Sequence, residues 1–282
     1  MANGKSAATA ICLQWLTKRD SVRGGDDPPR FIMELIYLRI RSRARQIVFR
    51  FPPPKFYKDL SWAVELSRTH FDSAPIILRL RQFAEKQLEN DFGHGFQHAV
   101  KVSLDAGALM LAECRRIGSS ESFASRRLCL AQCAGLLHDI RRKEKNHAIS
   151  GALAARRILK SYPLSADEIE DISQAIRDHE AFKDISAVNT PEGLLISDCL
   201  YDADKFRWGP DNFTDTIWDM VSFSKTPLPK FIEFYPKGMD MLEKAKTTFR
   251  SEIGKKYGPQ FIDVGLDIGR ELFSVIKAEF AT

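Results

Sequence analysis

An all-α protein with a basic N-terminal extension is what the sequence predicts, on three observations. From residue 73 onward, apolar residues recur at helical spacing in one segment after another, which is typical of amphipathic helices. Several of these segments begin with residues that cap helices, and no internal repeat or low-complexity tract interrupts them. The first 72 residues differ, because "GGDDPP" and "FPPPK" break them. We therefore expect an extension over 1–72 and a helical domain over 73–282.

The extension carries the positive charge of the chain. Residues 1–60 hold twelve Lys or Arg and five Asp or Glu, an excess of seven positive charges, and the whole chain has a net charge of +5. Within the extension, "LRIRSRARQIVFRF" places Arg at every second position from 39 to 45. This two-residue period favours a short, half-exposed strand. A basic edge of this kind could contact nucleic acid or an anionic membrane, although a solvated edge or a surface packed on the main domain explains the charges more simply.

The main domain is predicted to consist of nine helices. Boundary residues support two of them: Ser165 and Glu168 have the spacing of a capping box, and Thr190 before Pro191 supplies an N-cap followed by proline at the first helical position. The predicted helices cover residues 74–91, 95–117, 122–140, 147–160, 166–180, 191–206, 211–224, 237–257 and 259–279.

Composition argues against several classes of protein. No run approaches the roughly 18 to 20 apolar residues needed to cross a bilayer, and the first 20 residues do not have the charge and apolar pattern of a secretory signal. The five cysteines are odd in number and follow no zinc-finger spacing, so a disulfide scaffold is not expected. We interpret the chain as cytoplasmic.

Ligand-type side chains occupy the apolar stripes of five predicted helices. Each of these residues lies at helical spacing from apolar or small neighbours and therefore points toward the core. Burying four histidines and two carboxylates together is costly unless they are paired or coordinated, and a divalent metal is the simplest common partner. Six ligands suit two metals better than one, since a carboxylate can bridge two ions. The residues are His98, His138, Asp139, His147, His179 and Asp204.

A basic run follows the second histidine. "GLLHDIRRKEKNHA" contains Arg141, Arg142, Lys143 and Lys145 directly after His138 and Asp139. Such cations could neutralise phosphate charge beside a metal, whereas the alternative is a loop that is merely solvated.

The ordered set of histidines and aspartates resembles the HD-domain superfamily of metal-dependent phosphohydrolases. The phrases that carry the resemblance are "HAVKV", "LLHDI", "HAISGALAARRIL", "AIRDHE" and "DADKF", within about residues 90–208. The resemblance implies an HD-domain helical bundle in which His98, His138, Asp139 and Asp204 hold a first metal. It also implies that His147 and His179 hold a second metal and that Asp139 bridges the two ions.

Further roles follow from the same resemblance. His94 matches a histidine often found near the substrate, although a structural role is equally plausible. Lys101 stands where the family often has arginine, so the positive charge is retained but the planar guanidinium group is not. Lys205, in "DADKF", is a further candidate for substrate binding. Asp202 competes with Asp204, but its helical offset points it away from the ligand stripe.

The predicted activity is hydrolysis of a phosphate ester or anhydride of a small soluble substrate, with a nucleotide favoured, by a metal-activated hydroxide. One or two divalent metals, manganese or iron, would be the cofactors. "DADKFRWG" places Arg207 where many nucleotide-cleaving relatives have an acid, which puts a detailed nucleotide assignment in doubt. Two other hypotheses stay open: the ligand order also resembles HD-fold diiron oxygenases, and a non-catalytic nucleotide-binding regulatory module would show a similar pattern. The oligomeric state is not predicted.

Overall fold

A computed structural model describes residues 30–88, 95–185 and 190–280, with side chains from residue 34 onward. The described residues form α-helices and one π-helical turn, Asn212–Thr216, and contain no strand. The predicted all-α class is confirmed. The helices are α1 (Arg30–Arg50), α2 (Lys55–Asp59), α3 (Ser61–Ser73), α4 (Pro75–Gln87), α5 (Phe96–Arg116), α6 (Glu121–Leu137), α7 (His147–Leu159), α8 (Ala166–Arg177), α9 (Pro191–Phe206), α10 (Ile217–Ser224), α11 (Leu228–Ala245) and α12 (Glu252–Glu279).

Local capping chemistry sets several helix starts. The Ser165 hydroxyl accepts from the Glu168 amide while the Glu168 carboxylate accepts from the Ser165 amide, so the predicted capping box is present. Thr190 accepts from the Gly193 amide at the start of α9. Because the first amides of a helix have no partner within it, these side chains decide where α8 and α9 begin.

Helices α5 and α6 form the centre of the bundle. They pack against each other, α9 packs on α5, and α7, α8 and α9 follow as neighbouring pairs. The backbones of α5 and α6 approach each other closely at Gly135 of α6, where an added Cβ would lie 2.6 Å from the Ser103 Cα of α5. The glycine therefore lets the end of α6 approach the backbone of α5, close to where the chain reaches His138.

The strand predicted over residues 38–45 is wrong, because this segment lies within α1. The buried residues of α1 are Tyr37, Ile40, Ala44 and Ile47, and their spacing is helical rather than alternating. The arginine alternation that suggested a strand coincides with ion pairs to other helices, such as Arg41 with Asp215 and Asp219.

The described part of the extension packs on the main domain. The Tyr37 hydroxyl donates to the Thr226 carbonyl at 2.8 Å, and Phe56 and Phe71 belong to the same hydrophobic core as α5 and α6. Residues 1–29 lie outside the described part. The division at residue 72 therefore stays a prediction, and the shared core means that 34–72 contributes to the packing of the bundle.

The boundaries of the last two helices differ from the prediction. The predicted helices over 237–257 and 259–279 place a break at residue 258, but this residue lies inside α12, and the break falls at residues 246–251. Asp202 fixes it, because its carboxylate accepts from the Arg250 amide, the Ser251 amide and the Ser251 hydroxyl. Tertiary hydrogen bonds thus set the start of α12. The segment predicted as one helix over 211–224 is the π-helical turn followed by α10.

None of the described helices combines the length and the apolar character that crossing a membrane requires.

Candidate metal centre

Six buried ligand-type side chains meet at one end of the bundle. Their positions on the helices explain the convergence: His98 is in the first turn of α5, His138 and Asp139 directly follow α6, His147 begins α7, His179 follows α8, and Asp204 is in the last turn of α9. None of the six residues is more than 9% exposed. The structure therefore brings together all six residues that the sequence predicted as ligands; their ligation stays a prediction.

The two oxygens of Asp139 face two different pairs of histidines. The Oδ2 atom is 3.9 Å from His98 Nε2 and 3.4 Å from His138 Nε2. The Oδ1 atom is 3.7 Å from His147 Nε2 and 3.6 Å from His179 Nε2. Two groups of possible metal ligands thus share one carboxylate, which is the arrangement of a bridging ligand between two ions.

Asp204 completes the first of these groups. Its Oδ1 lies 3.2 Å from His98 Nε2 and 3.8 Å from His138 Nε2, and the two imidazole Nε2 atoms are 3.2 Å apart. Two donor atoms about 2.1 Å from one ion are roughly 3.0 to 3.4 Å apart at octahedral or tetrahedral angles. The observed separations are close to this range. Asp202, the competing carboxylate, instead binds the backbone at the start of α12.

Backbone carbonyls orient two of the imidazoles. His138 Nδ1 lies 2.8 Å from the Gly135 carbonyl, and His179 Nδ1 lies 2.5 Å from the Ile176 carbonyl. Because a carbonyl only accepts, each Nδ1 carries the hydrogen and each Nε2 of the neutral ring keeps its lone pair. This is the usual outer contact of a metal-binding histidine, and both Nε2 atoms point at Asp139.

A buried oxygen of Asp139 that lacks a hydrogen bond within the described part of the chain indicates that the ligand-type residues fit a cation. Among the described residues, Asp139 Oδ1 has no hydrogen-bond partner, although it is shielded from solvent. Its neighbours are His147 and His179 at distances too long for hydrogen bonds. An unsatisfied buried carboxylate oxygen is costly, and a divalent ion among these three residues would satisfy it.

The electrostatics of the cluster favour ionised carboxylates. Burial works against ionisation of Asp139 and Asp204, but nearby positive charge outweighs it. His138 in its protonated form and Arg142 hold the pKa of Asp139 well below its usual value. Lys205 does the same for the pKa of Asp204. Both groups therefore remain anionic ligands in the buried site.

Arg142 occupies the second histidine pair. Its Nη1 lies 2.8 Å from His147 Nε2 and 3.8 Å from Asp139 Oδ1. A guanidinium only donates, so it uses the lone pair that His147 would offer to a metal. A second ion would have to displace this contact. In the first group, Lys205 pairs with Asp204 Oδ2, and Asp204 Oδ1 faces His98 and His138.

The other predicted substrate residues divide into two groups. Lys205 is buried, lies 2.5 Å from Asp204 Oδ2, and lines the same cavity as Arg142. Arg141 and Lys143 are exposed and are not among the residues lining that cavity. Lys145, in the same basic run, is also exposed. Of the predicted substrate-binding cations, Arg142 and Lys205 therefore lie at the ligand cluster.

Lys101 is not brought to the cluster. Its ammonium lies 3.0 Å from Asp211 Oδ1 and 3.5 Å from Asp215 Oδ2. Buried Arg207, which also pairs with Asp211, and buried Asp105 continue this network. His94 lies outside the described residues, so its predicted place near the substrate stays a prediction.

A cavity of about 630 Å³ opens beside the ligands. It includes His98, Asp139, His179 and Asp204 at one end and a set of apolar side chains from α10 and α11. Sequence reasoning missed Glu180, which is buried, lines the cavity and lies 3.9 Å from His147 Nδ1. Its position next to His179 could have indicated a place near the ligands. The apolar wall could not be identified from the sequence, because residues that line a cavity and residues of the core are both apolar.

One family model matches the part of the chain that carries the six ligand-type residues. Residues 95–209 match the family model of the HD domain. A solved structure, the crystal structure of a predicted HD superfamily hydrolase from an uncultured Thermotogales bacterium, is 20% identical and matches 73% of this chain and 94% of its own, with a TM-score of 0.42. A likeness of that size carries no argument by itself. No curated protein matches the chain.

Proposed function

Taking residues 95–209 as the HD domain that the family model identifies, we propose that this protein is a metal-dependent phosphohydrolase acting on a small phosphorylated substrate. One observation carries the proposal: the two oxygens of Asp139 face separate pairs of histidines, and one of these oxygens is buried without a hydrogen-bond partner. A shared carboxylate between two imidazole pairs suits metal-assisted hydrolysis of phosphate esters.

The proposed ligands of the first ion are His98, His138, Asp139 and Asp204, and those of the second are Asp139, His147 and His179. Divalent ions, when bound, lower the pKa of water toward neutrality and polarise phosphate oxygens. Manganese and iron are the proposed metals, because imidazole and carboxylate ligands suit both.

The chain's own cations complete the proposed site. Arg142 and Lys205 both line the cavity, Arg142 near Asp139 and Lys205 near Asp204. A phosphate entering the cavity would gain charge-assisted hydrogen bonds from them. Arg142 would then exchange its contact with His147 for one with phosphate, which frees the His147 lone pair. Substrate and second metal would therefore bind cooperatively.

The substrate and the bond cleaved are finer questions. A nucleotide substrate and a cytoplasmic location stay predictions. The substrate contacts predicted for Arg141 and Lys143 are untested, and the proposed site does not include them, because both residues are exposed and outside the cavity lining. A diiron oxygenase would use the same six ligands, but the cavity-lining cations Arg142 and Lys205 next to these ligands suit a phosphate better than an uncharged substrate.

A substrate panel on protein of known metal content tests the proposal. We expect manganese- or iron-dependent release of inorganic phosphate from at least one class of monoester, diester or anhydride. Oxygen uptake by the iron-loaded protein without phosphate release would favour the oxygenase instead. Nucleotide binding without turnover by fully metal-loaded protein would favour a regulatory module.

A further inference from the structure

The cavity beside the ligand cluster has two chemically different ends. At one end are the metal-ligand residues with Glu180, Arg142 and Lys205. The remaining wall is mostly apolar, and its polar members are Arg207, Asn212, Thr216, Lys237, Asp240 and Lys244, of which the last three are exposed. Phe213, Val221 and Phe231 of this wall are each at most 5% exposed. The volume of about 630 Å³ lies in the range that small organic ligands occupy, roughly 300 to 1,000 Å³.

Two aromatic residues around the apolar end have partners for their polar atoms. The Tyr235 hydroxyl donates to the Gly269 carbonyl at 2.9 Å, so this residue offers its ring to the cavity. Trp218, behind the wall, donates its Nε1 hydrogen to the Phe213 carbonyl at 2.6 Å. A nucleobase packed against the buried side chains of Phe213, Val221 and Phe231 would lose hydrogen bonds to water, which is costly. An apolar group has no such cost.

The wall also contains flexible side chains. Met220 of α10 and Met239 of α11 both line the cavity and are half-buried. Methionine adapts its shape to irregular apolar partners. This composition suits a chain of methylene groups at least as well as a flat ring.

We propose that the substrate is an amphiphile: a phosphate ester whose head binds at the ligand cluster and whose hydrocarbon tail of about eight carbons or more lies along the apolar wall. The proposal rests on the proposed function for the head group and on the cavity for the tail. It replaces the nucleotide favoured by the sequence with a phosphorylated hydrophobic alcohol.

Binding of non-hydrolysable analogues tests the tail separately from the chemistry. The dissociation constants of butylphosphonate and octylphosphonate are measured by calorimetry on the metal-loaded full chain, below the concentrations at which micelles form. Burial of each methylene tightens binding by about three- to fourfold, so four more methylenes give roughly a hundredfold if all are buried. We expect at least a tenfold preference for octylphosphonate, and a smaller one would overturn the proposal.

Substitutions in the apolar wall test where the hydrocarbon tail binds. Met220→Asp places a charge on the apolar wall and should remove the preference for the longer chain, and Met220→Leu should retain it. Ser222→Asp adds the same charge at an exposed position of α10 and should leave the preference unchanged. Met239→Gln, similar in size and uncharged, provides a second test if Met220→Asp fails to fold. A preference that survives both Met220→Asp and Met239→Gln in folded protein would contradict this placement of the tail.

The two proposals fail in different ways. If the chain-length preference is present and neither butyl nor octyl phosphate is hydrolysed, the apolar site stands and the proposed hydrolase activity does not. If both esters are hydrolysed with equal KM and the phosphonates bind equally well, the activity stands and the amphiphile is wrong.

Discussion

Gly135 is the position where the packing of the bundle and the geometry of the metal centre meet. An added Cβ would lie 2.6 Å from Ser103 Cα and 2.8 Å from Ser103 N, whereas ordinary contacts of a Cβ are 3.4–4 Å. Because the obstructing atoms are backbone, α5 and α6 must move apart by most of that difference. We therefore expect Gly135→Ala to impair both folding and metal binding.

The magnitude follows from two opposing effects. Overpacking of a core costs about 1–3 kcal/mol, and the backbone obstruction argues for the upper part of that range. Alanine regains about 1 kcal/mol of helix propensity over glycine. The free energy of unfolding should therefore fall by about 1–2 kcal/mol. Metal affinity should fall too, because the Gly135 carbonyl accepts from His138 Nδ1.

Urea unfolding monitored by circular dichroism, together with metal titration, measures both effects. Gly238→Ala is the matched control: Gly238 is also inside a helix, α11, but an added Cβ would contact nothing within 4 Å. The control should gain about 0.5–1 kcal/mol. Equal stabilisation by both substitutions would refute the close approach of α5 and α6 at Gly135.

Two further predictions separate neighbouring residues with different roles. Arg142→Ala should lower kcat/KM roughly ten- to a hundredfold, because a lost charge-assisted contact costs about 1.5–3 kcal/mol. Arg141→Ala, at an exposed position, should change kcat/KM less than twofold. Equal losses in steady-state kinetics would place both arginines at the substrate. Asp204→Ala should remove metal. Asp202→Ala should retain metal and lower the free energy of unfolding by about 1–3 kcal/mol, because the hydrogen bonds at the start of α12 are lost. Elemental analysis and urea unfolding measure these effects, and metal loss confined to Asp202→Ala would make Asp202 the ligand instead of Asp204.

The convergence of the ligands could be predicted because helical spacing fixes which face of a helix a residue occupies. His98 and Asp204 each lie on an apolar stripe, and the helices that carry them must bury those stripes. The helix register therefore carried information about the site before any tertiary contact was known. The same argument assigned Asp202 to a different face, and the structure places it there.

Features that depend on tertiary partners could not be predicted in this way. The arginines of α1 alternate in sequence, yet Arg43 pairs with Glu279 at the other end of the chain, and no local pattern reveals that partner. Likewise, Arg142 and Arg141 are indistinguishable in sequence, while only the fold sets one against Asp139 and leaves the other exposed. The break before α12 depends likewise on hydrogen bonds that the distant Asp202 accepts from Arg250 and Ser251, which no local pattern reveals.

The metal content of the purified protein tests the central claim most directly. We expect between one and two transition-metal ions per chain by elemental analysis. Asp139→Asn should lose more metal than substitution of any single histidine, because each oxygen of Asp139 faces a different histidine pair. A native protein that holds no metal and shows no manganese- or iron-stimulated activity would contradict the account.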